Sequence, residues 1–290
     1  MAADDGYFPE GSILRRVHSE RSVGLMYGQR ALMIGALNPL TYVGTYEHTA
    51  GRLTPFKRLA RTAEKFETIF FGTRDEADRV LEGVHRLHQP VQGTLKEAAG
   101  PHPAGSSYSA FDPELMLWTM AAIADSGPYF FELFVRPLTP DERERLWQEY
   151  VRFGELFGMP REVAPKSSGE FREYFDGFIA SDRAHLTDSA REVGHATALR
   201  IPLPTVYGPF KRVHDLIMLG SLPEVVRRHY CLSWSRSQEA AFRAAVASVR
   251  VSRPITPGRI RYGSNTDSFR LVARTERRRI ERREPTPQAL

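Results

Sequence analysis

The sequence has almost no cysteine. Its 290 residues include one, Cys231. The chain alone can therefore form neither an internal disulfide nor a cysteine-held zinc or iron–sulfur cluster. An oxidising, secreted setting is correspondingly disfavoured. Long apolar runs are also missing. The longest weakly polar stretch, Ala31–Val43, is interrupted by Asn38 and Pro39 and is too short to span a bilayer. The opening MAADDGYFPEGS has neither the basic flank nor the apolar core of a secretory leader. The expectation is a cytoplasmic protein with no membrane span. Lysine is scarce, with five against 35 arginines. Period-two alternation, the mark of strands, is confined to fragments such as Arg259–Tyr262. No GxGxxG precedes a helix, and GxxxxGKS/T, HExxH and GxSxG do not occur. Dinucleotide, P-loop, zincin and α/β-hydrolase chemistry thus lack support.

What is present is ordinary globular material, 41% hydrophobic and 26% charged, which excludes bulk disorder and collagen-like sequence. The net charge of +5 is concentrated at the end, where VARTERRRIERRE (Val272–Glu284) holds six Arg and three Glu. With no aromatic and no nucleic-acid module, this segment reads as a solvated, helical tail, and nucleic acid is not expected as a partner. The rest is a succession of capped helices. Thr54-Pro55 opens one that stops at Gly72. Thr73 with Glu76, and Thr139 with Glu142, form capping boxes. Asp112-Pro113 begins another helix, and further helical runs cover Gly169–Ile179, Pro209–Leu219, Pro223–Tyr230 and Ser237–Val249. The Gly- and Pro-rich stretch Gly93–Ser109 is long for a structureless connection and is a candidate to line a site. The pattern predicts one all-α domain over residues 8–270, followed by an Arg-rich tail over 271–290.

Candidate chemistry lies on helical faces. In EGVHRLHQPV, a rotation of ~100° per residue puts His88 within about 80° of the apolar face set by Ala77, Val80, Leu81, Val84 and Val91. His85 falls at the boundary and Glu82 points outward. Pro90 must end or kink the helix. An inward histidine there reads either as a hydrogen-bonded core residue or as a metal ligand. On the preceding helix Arg58 and Thr62 share a face at i,i+4. They read either as a solvated face or as a cation and a hydroxyl aimed into a cavity. Two ExxH pairs, Glu82/His85 and Glu192/His195, raise a carboxylate di-iron helical oxidase as an alternative. The outward direction of Glu82 counts against it.

The order of these segments resembles a known family. PEGSILRRVHSERSVGLMYGQRALMIGALNP, RLARTAEKFETIFFGT, VHRLHQPVQG, YSAFDPELMLWTMAAIADS, YFFELFVRPLTPDER, LPEVVRRHYCLSWS and PITPGRIRY follow one another as in the DUF2236 family, the MpaB-type oxygenases that include the rubber oxygenases. The likeness covers about residues 8 to 262. It implies a single multi-helix domain with a globin-like core, enclosing a pocket for haem b. It implies His88 as the axial iron ligand, and so both the metal and the cofactor residue. The family's distal RxxKT segment matches Arg58, Arg61 and Thr62, with Arg61 in place of the lysine. Arginine stays protonated and is a poor iron ligand, so Arg58, Arg61 and Thr62 become donors to oxidant or substrate. His48, in YEHT, is a further pocket candidate. Two positions depart from the family pattern: Met120 stands where a histidine is usual, and Asn38 precedes Pro39 where HP is usual.

The implied activity is that of a haem-dependent oxidoreductase, an oxygenase or oxidase using O2 or peroxide on an apolar or aromatic small molecule. A non-catalytic haem-binding carrier or sensor, and a relative that has lost haem, stand beside it.

Overall fold

Helices start where the sequence supplies caps. The computed structural model describes residues 5–43 and 54–284. Its helices are α1 (Ile13–Ser19), α2 (Arg21–Gly24), α3 (Tyr27–Gly35), α4 (Pro55–Phe71), α5 (Arg74–His88), α6 (Pro113–Phe134), α7 (Pro140–Leu156), α8 (Ser168–Ala180), α9 (Asp188–Leu199), α10 (Gly208–Ser221), α11 (Glu224–His229), α12 (Arg236–Ser252), α13 (Gly258–Arg261) and α14 (Thr266–Glu281). The Thr73 and Thr139 hydroxyls accept from the backbone N–H groups of Glu76 and Glu142, both at 3.2 Å, and the glutamates return the bond to the cap N–H groups. Ser235 and Gln238 make a third box. Asp112 accepts from Glu114 and Leu115 at the head of α6. Each such cap is worth about 1 kcal/mol.

The fold is all-α. Two expectations for non-helical segments change. The stretch Gly93–Ser109 is closed by an antiparallel hairpin, β1 (Gln92–Thr94) with β2 (Ser107–Ser109), in the register Gln92↔Ser109, Gly93↔Tyr108 and Thr94↔Ser107. Strands this short and polar carry no period-two signal. A Cβ at Gly93 would stand 2.7 Å from the Tyr108 hydroxyl, so the ladder needs glycine there. Conversely, Arg259–Arg261 lies in α13, which Pro257 starts, and only Tyr262 bridges to Glu20.

α6 is the central helix, buried on most of its circumference. Trp118 stacks on Phe178 at 3.7 Å between ring centroids and donates its indole N–H to the Gly35 carbonyl at 2.9 Å, which pins α3 to α6. Two turns further along, Asp125 and Ser126 receive the Arg30 guanidinium of α3 at 2.6 and 2.9 Å. Arg30 also donates from Nε to the Ser221 carbonyl at the end of α10, and its guanidinium carbon lies over the Tyr129 ring, 4.4 Å from the centroid. The second Asp125 oxygen receives Arg172 of α8. Burial pushes the Asp125 carboxyl up, but Arg30 and Arg172 together outweigh it and hold it below the ordinary range. Among the described residues, no helix is long and apolar enough to cross a membrane.

Asp125 and Arg30 are both buried, at 5% and 2% exposure, whereas Arg172 is 49% exposed. Removing one partner of a buried pair leaves the other uncompensated, so Asp125→Ala is expected to cost about 3–5 kcal/mol. Arg172→Ala is expected to cost about 1 kcal/mol or less. Urea denaturation of the three proteins checks this; equal losses for the two variants would contradict it.

Candidate functional site

Charge is sorted across α4. Its carboxylates face α14, where Glu64 pairs with Arg270 at 2.6 Å. Glu67 accepts from the Asn265 N–H at 2.7 Å and from the Ser264 and Thr266 hydroxyls. The N-terminus of α4 is held from the same side. Thr54 occupies the cap position expected of it, but its hydroxyl donates to Glu276 of α14 rather than capping its own helix. Glu276 is fully buried. Burial raises its pKa, while Thr54 and the Phe56 and Lys57 N–H groups act to lower it. Phe56 and Leu59 complete the contact with Ile201, Leu203, Phe269 and Val272. The inner face of the Arg-rich segment is thus part of the α4 docking surface.

The opposite side of α4 keeps its cations. Arg58, Thr62 and Lys65 recur at i, i+4 and i+7 and form one stripe. Among the described residues, no carboxylate pairs with Arg58, Arg61 or Lys65. Arg58 is half-buried, and burial lowers its pKa against a smaller opposing effect of Tyr42. Lys65 is lowered by burial and then by the Arg61 charge. Thr62 and Arg61 are exposed.

α5 brings its last turn to this stripe. The helix ends at His88, before Pro90. Its ring is half-buried, and its nitrogens have no hydrogen-bond partner among the described residues. Burial lowers its pKa, and the charges of His85, Lys65 and Arg58 lower it further. The imidazole therefore stays neutral, with a nitrogen lone pair available, below the pH at which a free histidine protonates. The hairpin builds the wall beside it. Val91 donates to the His88 carbonyl and accepts from the Ala110 N–H, both at 2.8 Å, so the chain returns to place Phe111 against both rings. Phe111 stacks on His85 at 5.9 Å and meets His88 edge-on at 6.2 Å. Gly158 closes the far side of His85. A Cβ there would lie 3.4 Å from Nε2, and the backbone adopts φ +96°, which only glycine takes readily. Phe66 continues the cationic stripe inward and contacts Phe153 at 5.2 Å and Phe157 at 6.1 Å.

The last turn of α5 thus lies close enough to α4 for the Lys65 and Arg58 charges to act on His88, with Thr62 on the same stripe of α4 and Arg61 at its flank. His48 lies outside the described residues. Lys65 and Phe111 were not among the candidates, and His85 was one only for the di-iron alternative. Lys65 was legible as the i+7 partner of Arg58. Phe111 is joined to the histidines only by the hairpin. Asn38 is buried and spends its side-chain oxygen on the Leu40 N–H at 3.1 Å. Met120 is buried beside Gly154. The two ExxH pairs do not converge. Glu82 is 70% exposed against Arg86, His195 bonds to the Tyr230 carbonyl, and no three His, Cys, Asp or Glu gather among the described residues.

These features define an all-α protein with an aromatic-walled site in which, among the described residues, an imidazole without a hydrogen-bond partner lies in the field of cations that no carboxylate pairs. Over residues 15–251 the chain matches the family described as "ER-bound oxygenase mpaB/B'/Rubber oxygenase, catalytic domain", and it belongs to that family of oxygenases. It is 28% identical over 228 residues to an uncharacterized protein of Mycobacterium bovis and equally to one of Mycobacterium tuberculosis. Each alignment covers 77% of this chain and 82% of the relative. No solved structure matches it significantly.

The His88 ring is expected to titrate below the ordinary histidine pKa. Lys65→Met removes a charge that disfavours protonation and is expected to move the titration upward. Imidazole NMR signals followed against pH check this; an unchanged or lower midpoint in the variant would contradict the placement of Lys65.

Proposed function

We propose that the protein is a haem b-dependent oxidoreductase, an oxygenase or oxidase that uses O2 or peroxide on an apolar or aromatic small molecule. The observation that carries this reading is the imidazole of His88, without a hydrogen-bond partner among the described residues and held neutral by burial and by the charges of Lys65 and Arg58, cations that no described carboxylate pairs. An anionic, planar, iron-containing group fits that donor set. A neutral nitrogen is available to the metal, unpaired cations to the carboxylates, and the Phe66 and Phe111 rings to the apolar faces. Bound there, haem would supply the electron transfer and oxidant activation. His88 would hold it through a ring nitrogen. Arg58 and Thr62, with Arg61 at the flank, would orient oxidant or substrate by donating hydrogen bonds in a partly dry site. Arg58 keeps its proton despite its burial. Lys65, whose ammonium burial destabilises, is suited to release a proton from Nζ. The aromatic wall would exclude water and admit an apolar substrate, and His48 remains a candidate for the same pocket.

Reconstitution with haem b is expected to give a Soret band. His88→Ala is expected to abolish it or weaken binding at least tenfold, with added imidazole restoring the spectrum. Absence of a Soret band from the reconstituted, folded protein would overturn the haem assignment. An unchanged spectrum in His88→Ala would overturn the ligand assignment. A bound haem that supports no turnover with O2 or peroxide over a panel of apolar substrates would leave a carrier or sensor instead of an enzyme.

A further inference from the structure

The molecule carries an apolar face that its own core does not cover. Val206, Phe210 and Val213 recur at i, i+4 and i+7 through the turn before α10 and its first two turns, and are 77%, 52% and 43% exposed. The same stripe runs on to Ile217, which is 4% exposed. One helical face therefore begins in solvent and ends in the core. Tyr207 beside it is 44% exposed. Scattered exposed apolar residues are unremarkable, but a contiguous stripe marks an interaction surface.

A basic edge adjoins this stripe. Arg279 of α14 donates to the Leu203 carbonyl at 3.0 Å, three residues before Val206, so the end of α14 stands within about 10 Å of chain from the stripe. Exposed there are Ile280, at 41%, and the side chains of Arg278, Arg282 and Arg283. Among the described residues Arg278 and Arg283 pair with no carboxylate. The nearby acids are already engaged: Glu276 is buried under α4, Glu281 meets Arg277, Glu284 meets Arg282 at 3.8 Å, and Asp215 meets Lys211. Arg212, on the same helix, is also exposed, though on a different face from the stripe.

We propose that this face docks on an anionic lipid bilayer, lying on it without crossing it. Apolar and aromatic side chains beside unpaired arginines are the composition that enters a headgroup region while its cations meet acidic lipids. The combination selects among occupants. A polyanion such as nucleic acid would satisfy the arginines and leave the Val206–Val213 stripe in water. A second copy of the chain would cover the stripe but bring two like-charged edges together. A bilayer satisfies both at once. This face shares no residue with the His88 site, and its docking does not depend on haem.

The test is vesicle flotation with the full-length protein, using phosphatidylcholine vesicles with and without phosphatidylglycerol. Binding is expected to be at least tenfold stronger with phosphatidylglycerol and to weaken as salt rises. Two variants separate the components: Val206→Asp with Phe210→Asp, and Arg278→Glu with Arg282→Glu and Arg283→Glu. All five positions are exposed, so melting curves should match the parent, and each variant should lose at least tenfold in binding. Failure of the parent to bind phosphatidylglycerol vesicles would overturn the proposal, as would normally folded variants that bind like the parent. A concentration-dependent dimer abolished by Phe210→Asp would overturn it in favour of a second copy. Retention only on nucleic acid would overturn it in favour of a polyanion.

Discussion

The arrangement depends on one buried ion pair, Arg30 with Asp125. A guanidinium and a carboxylate taken out of water are costly unless every polar atom is matched. Here Asp125 receives Arg30 and Arg172, while Arg30 also reaches Ser126 and the Ser221 carbonyl. That requirement locks four helices into one geometry: α3 carries Arg30, α6 carries Asp125, α8 carries Arg172, and α10 ends at Ser221. Apolar contacts alone permit several rotations of α3 against α6. The ion pair permits one, and the Trp118 bond to the Gly35 carbonyl agrees with it.

The site is built at a distance from that pair, by a second constraint. α4 carries acids and cations on opposite sides, and α14 takes the acids. Glu64 is matched by Arg270, Glu67 by the turn that opens α14, and Glu276 reaches back to the α4 N-terminus. What remains is a helix face with positive charge and no counter-ion among the described residues, close enough to the last turn of α5 for its charges to act on His88. The low proton affinity of His88 follows from that sorting. The ring is partly desolvated, and the charges acting on it are of one sign. A site that repels protons while keeping a lone pair open is suited to a metal ligand, and the cations around it to an anion.

Much of this was legible before any coordinates. The capping boxes at Thr73 and Thr139, the proline that ends α5 after His88, and the shared face of Arg58 and Thr62 all follow from local rules, because helix periodicity and caps act within about four residues. The family likeness, carried by ordered motifs along the chain, pointed to the same histidine. What was not legible was non-local. Thr54 reads as a cap for its own helix because nothing nearby in sequence announces Glu276, more than 200 residues away. The hairpin escaped because three-residue polar strands have no detectable alternation. Phe111 then escaped with it, since only the hairpin returns that ring to His85 and His88.

By itself the sequence determined an all-α chain, the starts and stops of its main helices, and a histidine at a helix end with an arginine and a threonine on the helix before it. Tertiary structure alone decided which of those groups stay uncommitted. Pairing is a property of distance in space: Asp125 is matched across three helices, Glu64 and Glu67 are consumed by α14, and Asn38 is spent on its own turn. Arg58, Lys65 and His88 are left to one another's field because, among the described residues, the acids of α4 have been drawn to α14.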